Sequence, residues 1–297
     1  MNKGILYIIL SGLCFLVVNF FVKLLGKGAG PDFFGPLQDY PAHELVLARS
    51  VVSFSISLYI IRRKGLPVFG NNRLWLVIRG LSGTIALTIF FYTIHYLPLA
   101  IASTIQYLAP IFTVIFAMVL LKEKVKKLQW LFIGMSFTGV LLIAIDRSSG
   151  SGMTSGDISF LWMGLGILAA ALSGVAYTAI MKLRSTDAPI TIVMYFPMIA
   201  IPLMTLMCLF DFTMPSGIEW LLLLIIGLFT QFAQILLTKA LHNGPAATIT
   251  PFQYLGAIYA FLVGYFIFDE TLSLVVNIGI TLAIIGVLVN ALIRRRA

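Results

Sequence analysis

Apolar runs of about twenty residues recur along the whole chain, and no soluble fold accommodates such a pattern. A helix rises 1.5 Å per residue, so about 20 apolar residues span the ~30 Å hydrocarbon core of a bilayer. The runs fall at roughly 4–25, 42–61, 74–96, 98–121, 128–146, 159–181, 189–210, 218–239, 245–268 and 272–293. In lipid every backbone N–H and C=O must be satisfied internally, which a helix does by itself. The expected fold class is an all-α membrane protein with ten transmembrane helices. Composition agrees: 60% of the residues are apolar and 10% charged, where soluble domains carry about 25% charged residues. Several connections are very short, so most neighbouring helices must be antiparallel, and no room is left for a separate soluble domain. The first run is too long for a signal-peptide core and lacks a small-x-small cleavage site after it, so it reads as a retained helix. Cys14 and Cys208 lie inside runs and read as small apolar packing residues.

The net charge of +9 first suggests nucleic acid, but its placement does not. With a cytoplasmic N-terminus, one side holds Lys3, Arg62, Arg63, Lys64, Arg73, Arg79, Lys122, Lys124, Lys126, Lys127, Lys182, Arg184, Lys239 and Arg294 to Arg296. Only Lys27 and Arg147 fall in loops on the other side, which carries most of the Asp and Glu. This is the positive-inside asymmetry, and it places both termini in the cytoplasm. Trp75, Trp130, Trp162 and Trp220 all sit at helix starts, where interfacial aromatics belong. The basic residues therefore read as topology signals and not as a nucleic-acid surface.

Shifted by 147 residues, the sequence meets itself. His95, Pro98 and Ala100 fall on His242, Pro245 and Ala247, and Gln106-Tyr107-Leu108 on Gln253-Tyr254-Leu255. Gly80 falls on Gly227, Glu123 on Glu270, and Gly139-Val140-Leu141 on Gly286-Val287-Leu288. Upstream, Ser11-Gly12 matches Ser173-Gly174 at a shift of 162; the longer loop at 26–41 absorbs the difference. The expected units are 4–146 and 159–293, five helices each, joined by a Gly/Ser-rich linker at 147–158. Five is odd, so the second unit must be inverted. Lys122 falling on Asp269 fits that, because equivalent positions then face opposite sides of the membrane. Inverted repeats are the plan of many secondary transporters, whose halves rock about a pseudo-two-fold axis to expose a central site to each side in turn.

The segment RGLSGTIALTIFFYTIHYLPLAIASTIQYLAPIFTVIFAMVLLKEKV, with GMSFTGVLLI after it, resembles the third to fifth helices of EamA-type transporters of the drug/metabolite transporter superfamily. HNGPAATITPFQYLGAIYAFLVGYFIFDETLS resembles the matching ninth-helix segment. The resemblance covers nearly the whole chain as two EamA units. Arg79-Gly80 with Phe91-Tyr92 is most similar to the branch of S-adenosylmethionine carriers, riboflavin carriers and some metallophore exporters; related branches export amino acids. The resemblance implies a multi-pass protein of the cell (inner) membrane. It also implies that the first four helices of each unit line a central cavity, while the fifth helices lie peripherally and support dimers. Monomer and homodimer both fit.

Charges inside spans are functional candidates by default. Arg49 lies two turns into the second helix, about 10 Å from its start, and its repeat equivalent is Phe196. Two readings fit: an anchor for an anionic or carboxylate group of a substrate, or a structural pair with another helix. Glu44, one turn in, is a proton-coupling group, a ligand for a substrate amine, a partner of Lys23, or an acid favoured by the helix dipole. Five residues apart, Glu44 and Arg49 point to different faces. Asn19 lies on the side of helix one that the family uses for its cavity. Gln106 and Gln253 supply donors and an acceptor near the pseudo-axis, and Tyr107 and Tyr254 could stack on a planar substrate; repeat-symmetric packing is the alternative. Tyr92, Tyr177, Tyr195, Gln231 and Gln234 are weaker candidates. Glu123 and Glu270 read as turn or capping residues before helices five and ten, and Gly256, Ala260 and Gly264 as a small-residue packing ridge.

Other patterns mislead. Gly164-Leu165-Gly166 imitates a dinucleotide fingerprint but follows no strand. His43, His95 and His242 are scattered, without metal-ligand spacing. No Walker, Gly-x-Ser-x-Gly or His-Glu-x-x-His sequence occurs. The expectation is a secondary transporter of small polar metabolites, driven by proton coupling or exchange, with no cofactor, no metal and no enzymatic activity. The alternative from another class is a membrane-embedded enzyme or sensor.

Overall fold

A computed structural model describes residues 3–25, 37–96, 105–150, 160–256, 258–259 and 274–295. The expectations for Lys27, Pro98, Ala100, Ala260, Gly264, Asp269, Glu270 and most of the linker lie outside the described residues. Most of those described are helical, with no strand among them. In chain order they form α1 (Lys3–Leu25), α2 (Ala42–Arg63), α3 (Arg73–Tyr96), α4 (Ala109–Leu120), α5 (Lys127–Gly150), α6 (Phe160–Leu183), α7 (Pro189–Cys208), α8 (Glu219–His242), α9 (Ala246–Ile249) and α10 (Leu274–Arg295). Six of these, α1 to α3 and α6 to α8, are long and apolar enough to cross a bilayer. Shorter apolar stretches occupy Ala109–Leu120, Lys127–Leu142 and Asn277–Gly286.

The fourth and ninth apolar runs are broken where unbroken helices were expected. Tyr107 and Leu108 form a turn ahead of α4, and α9 passes after one turn into a 3₁₀ segment, Thr250–Tyr254. Proline is the cause. Pro110 has no N–H for the carbonyl of Gln106, and Pro251 has none for that of Ala247. The amide of Leu108 bonds instead to the carbonyl of Ile105, one residue nearer, at 3.0 Å. Both Gln-Tyr-Leu repeats thus sit at helix breaks.

The most extensive packing joins the halves: α1 with α8, α3 with α6, α2 with α7, and α5 with α10. Exchanging the halves maps this set onto itself. The same holds residue by residue. A Cβ on Gly80 would strike Ile199 and the Tyr195 carbonyl, and one on Gly227 would strike Val52; 80 and 227, like 52 and 199, are 147 apart. A Cβ on Gly139 would strike Gly279 and Ala283, and one on Gly286 would strike Phe132 and Ser136, again 147 apart. Without a hydrophobic driving force between helices in lipid, such small-residue contacts let backbones approach closely. The fifth helix of each half is therefore packed on its counterpart, with the Ser136 hydroxyl donating to the Ala283 carbonyl at 3.5 Å.

Two loop clusters tie the halves together at opposite ends of α2. At its start, Glu219 accepts from the Gln38 N–H (2.7 Å), the Tyr40 hydroxyl (2.7 Å) and the Ser216 N–H (2.7 Å). Beyond its end, Asp187 accepts from the N–H groups of Asn71 (2.6 Å) and Asn72 (3.2 Å). Tyr40 is equivalent to Asp187, and Asn72 to Glu219, so one latch is built twice with its carboxylate on opposite partners. Burial, and then Glu219, push the Tyr40 phenol well above its ordinary pKa, so it remains a hydrogen-bond donor.

Candidate substrate site

The inward face of α2 is polar, unlike that of an ordinary membrane helix. Glu44, Arg49, Ser50, Ser53 and Ser57 are all buried, at helical spacing. Burying polar groups in lipid stabilises nothing unless partners or a lined cavity receive them.

Arg49 is only 3% exposed, and its guanidinium carbon stands 5.7 Å from the centroid of the Phe196 ring on α7. Arg79 of α3 meets the same ring at 5.8 Å and is only 2% exposed. Arg79 was expected to be a charge at the membrane edge, and the structure corrects this. It lies six residues inside α3, about 9 Å from the helix start, and folds over Gly83, where a Cβ would strike its Nη1. Gly80 meanwhile brings α3 onto α7, which holds Phe196. One Nη2–H of Arg79 donates to Gln234 Oε1 of α8 at 3.0 Å.

Among the described residues no carboxylate pairs with either arginine, and the buried Nε of each has no acceptor. A cation–π contact contributes about 2 kcal/mol when desolvated. Burying an unpaired charge costs several kcal/mol, so Phe196 offsets only part of the penalty. The contacts seen among the described residues leave the remainder of that cost unmet.

The other candidates divide into three groups. Gln231 is clasped by α2: its Oε1 accepts from the Ser53 hydroxyl, and its Nε2 donates to the Ser57 hydroxyl at 2.8 Å. Its amide therefore serves helix packing. Glu44 and Tyr92 gather at the first latch. Glu44 Oε2 accepts from the Thr213 N–H at 2.9 Å, while Oε1 is buried with no partner among the described residues. The His43 Nε2 faces the Asp211 carbonyl at 2.7 Å, so Nε2 carries the proton and Nδ1 accepts from the Tyr92 hydroxyl at 3.5 Å. Glu44 and Arg49 do not pair. At the helix breaks, the Tyr107 and Tyr254 rings lie 6.1 Å apart and pack on one another. Gln106 Nε2 donates to the Ser173 hydroxyl at 3.1 Å, whereas Gln253 Nε2 and the Tyr254 hydroxyl are buried with no partner among the described residues. Asn19 is exposed on α1, and Tyr195 donates to the Phe69 carbonyl at 2.9 Å. Glu123 does cap a helix, but across the repeats: its Oε2 accepts from the Ala246 N–H of α9 at 2.9 Å. Sequence reasoning missed the pairing of Arg79 with Arg49; the signal was the Arg-Gly-x-x-Gly spacing at 79–83.

Residues 2–145 and 160–292 each match the sequence model of the EamA-like transporter family. The chain is 27% identical over 264 residues to the pseudopaline exporter CntI of Pseudomonas aeruginosa (strain UCBPP-PA14), covering 87% of this chain and 85% of that protein. It is 29% identical over 303 residues to solute carrier family 35 member G1 of Homo sapiens, covering 98% and 79%. It is also 25% identical over 279 residues to a riboflavin transporter of Vibrio cholerae, covering 90% and 85%. A solved crystal structure superposes on 100% of this chain and 99% of its own, with a TM-score of 0.78 at 19% identity, which shows a shared fold.

Proposed function

Because the chain belongs to the EamA-like transporter family, we propose that this multi-pass small-molecule transporter is a secondary carrier of small anionic metabolites working by alternating access. The arrangement is ten helices in two inverted five-helix units, 4–146 and 159–293, joined by 147–158, with both termini cytoplasmic and the protein in the inner membrane. The exchange-symmetric packing of α1 with α8 and α3 with α6, and of Gly139 and Gly286 on equivalent neighbours, supports this reading. So does the interruption of the fourth and ninth runs in corresponding positions, a pointer to the binding site of repeat-built carriers.

One observation carries the anion preference: Arg49 is buried with no counter-ion among the described residues. Asn19, Tyr92, Tyr177 and the Gln-Tyr pairs at 106–107 and 253–254 contribute polar and aromatic contacts to the substrate. Energy comes from exchange or from protons moving through Glu44. Replacing Glu44 by Gln tests the latter, and unchanged dependence on a pH gradient refutes it. Flux of radiolabelled metabolites, among them S-adenosylmethionine, riboflavin and amino acids, into proteoliposomes tests transport directly. Arg49→Ala is expected to abolish substrate binding while the protein stays folded. Retained affinity refutes the role given to Arg49, and no flux across the panel favours a membrane-embedded enzyme or sensor.

A further inference from the structure

Building on the anion reading of Arg49, we infer that the central site selects metabolites carrying two negative charges, with Arg79 as the second charge-reading residue. Arg49 and Arg79 each lie within 6 Å of one aromatic ring, so their charges are separated by no more than the length of a small metabolite. Each guanidinium presents five N–H donors, and among the described residues one acceptor, Gln234 Oε1, takes one of them. Gln234 is neutral, so among the described residues nothing compensates the two buried charges.

A single carboxylate accepts a bidentate pair from one guanidinium and leaves the other buried and charged. A dianion neutralises both. The repeat shows that these charges are not a requirement of the scaffold, because the equivalents of Arg49 and Arg79 are Phe196 and Ile226. The hydroxyls of Ser50 and Thr230, on the helices that carry Arg49 and Gln234, are buried with no partner among the described residues.

The test uses a charge series of nearly constant shape: succinate, its monoanionic half-amide succinamate, and the neutral diamide succinamide, with glycerol 3-phosphate as a dianion of a different kind. Affinity is measured by calorimetry on the purified full-length protein. Losing one partner of a buried charge pair shifts affinity by roughly 30-fold or more. Succinate or glycerol 3-phosphate is expected to bind about 30-fold more tightly than succinamate, with succinamide weakest. Which of the two is tighter distinguishes a dicarboxylate from a phosphate ester. In Arg79→Gln the preference for dianion over monoanion is expected to collapse, and in Arg79→Lys to return in part. Wild-type protein that binds succinamate as tightly as either dianion overturns the inference without any variant. Binding that needs Arg49 but keeps its charge preference in Arg79→Gln overturns it while leaving the anion reading intact. Failure of every anion to bind overturns both.

Discussion

Glu219→Gln at the first latch removes one charge and one acceptor with almost no change of shape. Glu219 is 2% exposed. Its Oε1 accepts from the Gln38 N–H at 2.7 Å. Its Oε2 accepts from Gln38 Nε2 (3.1 Å), the Tyr40 hydroxyl (2.7 Å), the Ser216 N–H (2.7 Å) and the Ser216 hydroxyl (3.1 Å). An amide has one oxygen, so either orientation turns an NH₂ group towards a donor. Turning the oxygen to the crowded side leaves the Gln38 N–H facing the NH₂, at about 1–3 kcal/mol for an unsatisfied buried donor. Loss of charge assistance in the remaining bonds adds about 1 kcal/mol. The total of about 2–4 kcal/mol lowers the apparent melting temperature in detergent by roughly 4–12 °C. Hydrogen exchange at the Gln38 amide speeds up by about 30-fold or more, since tenfold corresponds to about 1.4 kcal/mol. An unchanged melting temperature together with an unchanged Gln38 exchange rate refutes the latch.

Gly139→Leu places side-chain atoms against the Gly279 carbonyl and Ala283 and is expected to abolish monodisperse protein in size-exclusion chromatography. Gly134→Ala, where nothing lies within 4 Å of the added Cβ, is the control and is expected to gain up to about 1 kcal/mol from helix propensity. Gln231→Leu strands the Ser53 and Ser57 hydroxyls and costs roughly 2–3 kcal/mol. Much of that stability is expected to return in the triple variant with Ser53→Ala and Ser57→Ala, so the effects are non-additive; additive melting shifts refute the clasp.

Much of the helical plan was legible because lipid imposes it. The expected starts at 4, 42, 74, 159, 189 and 218 each fall within one residue of the observed α1, α2, α3, α6, α7 and α8. The runs at 98–121 and 245–268 were misread as unbroken because hydropathy does not register the missing N–H groups of Pro110 and Pro251. Arg79 was misread because six residues into a span is a distance from which an arginine ordinarily reaches the interface. Only Gly83, one turn on, opens the space into which it folds. Gln231 was a candidate for substrate contact; its partners Ser53 and Ser57 sit more than 170 residues away and meet it because Gly227 lets α8 close on α2.

The sequence by itself determined the class of protein, the register of the repeat and the positions without a symmetric twin, Arg49 and Arg79 among them. Those properties follow from bilayer thickness and from comparing the chain with itself, and both can be read in one dimension. Only the tertiary structure decided that Arg49, Arg79 and Gln234 converge around Phe196 while Glu44 turns away to Thr213. That outcome depends on the rotation of each helix about its own axis and on its depth. Both are set by backbone contacts at glycines such as Gly80 and Gly227, whose partners lie in the other half of the chain.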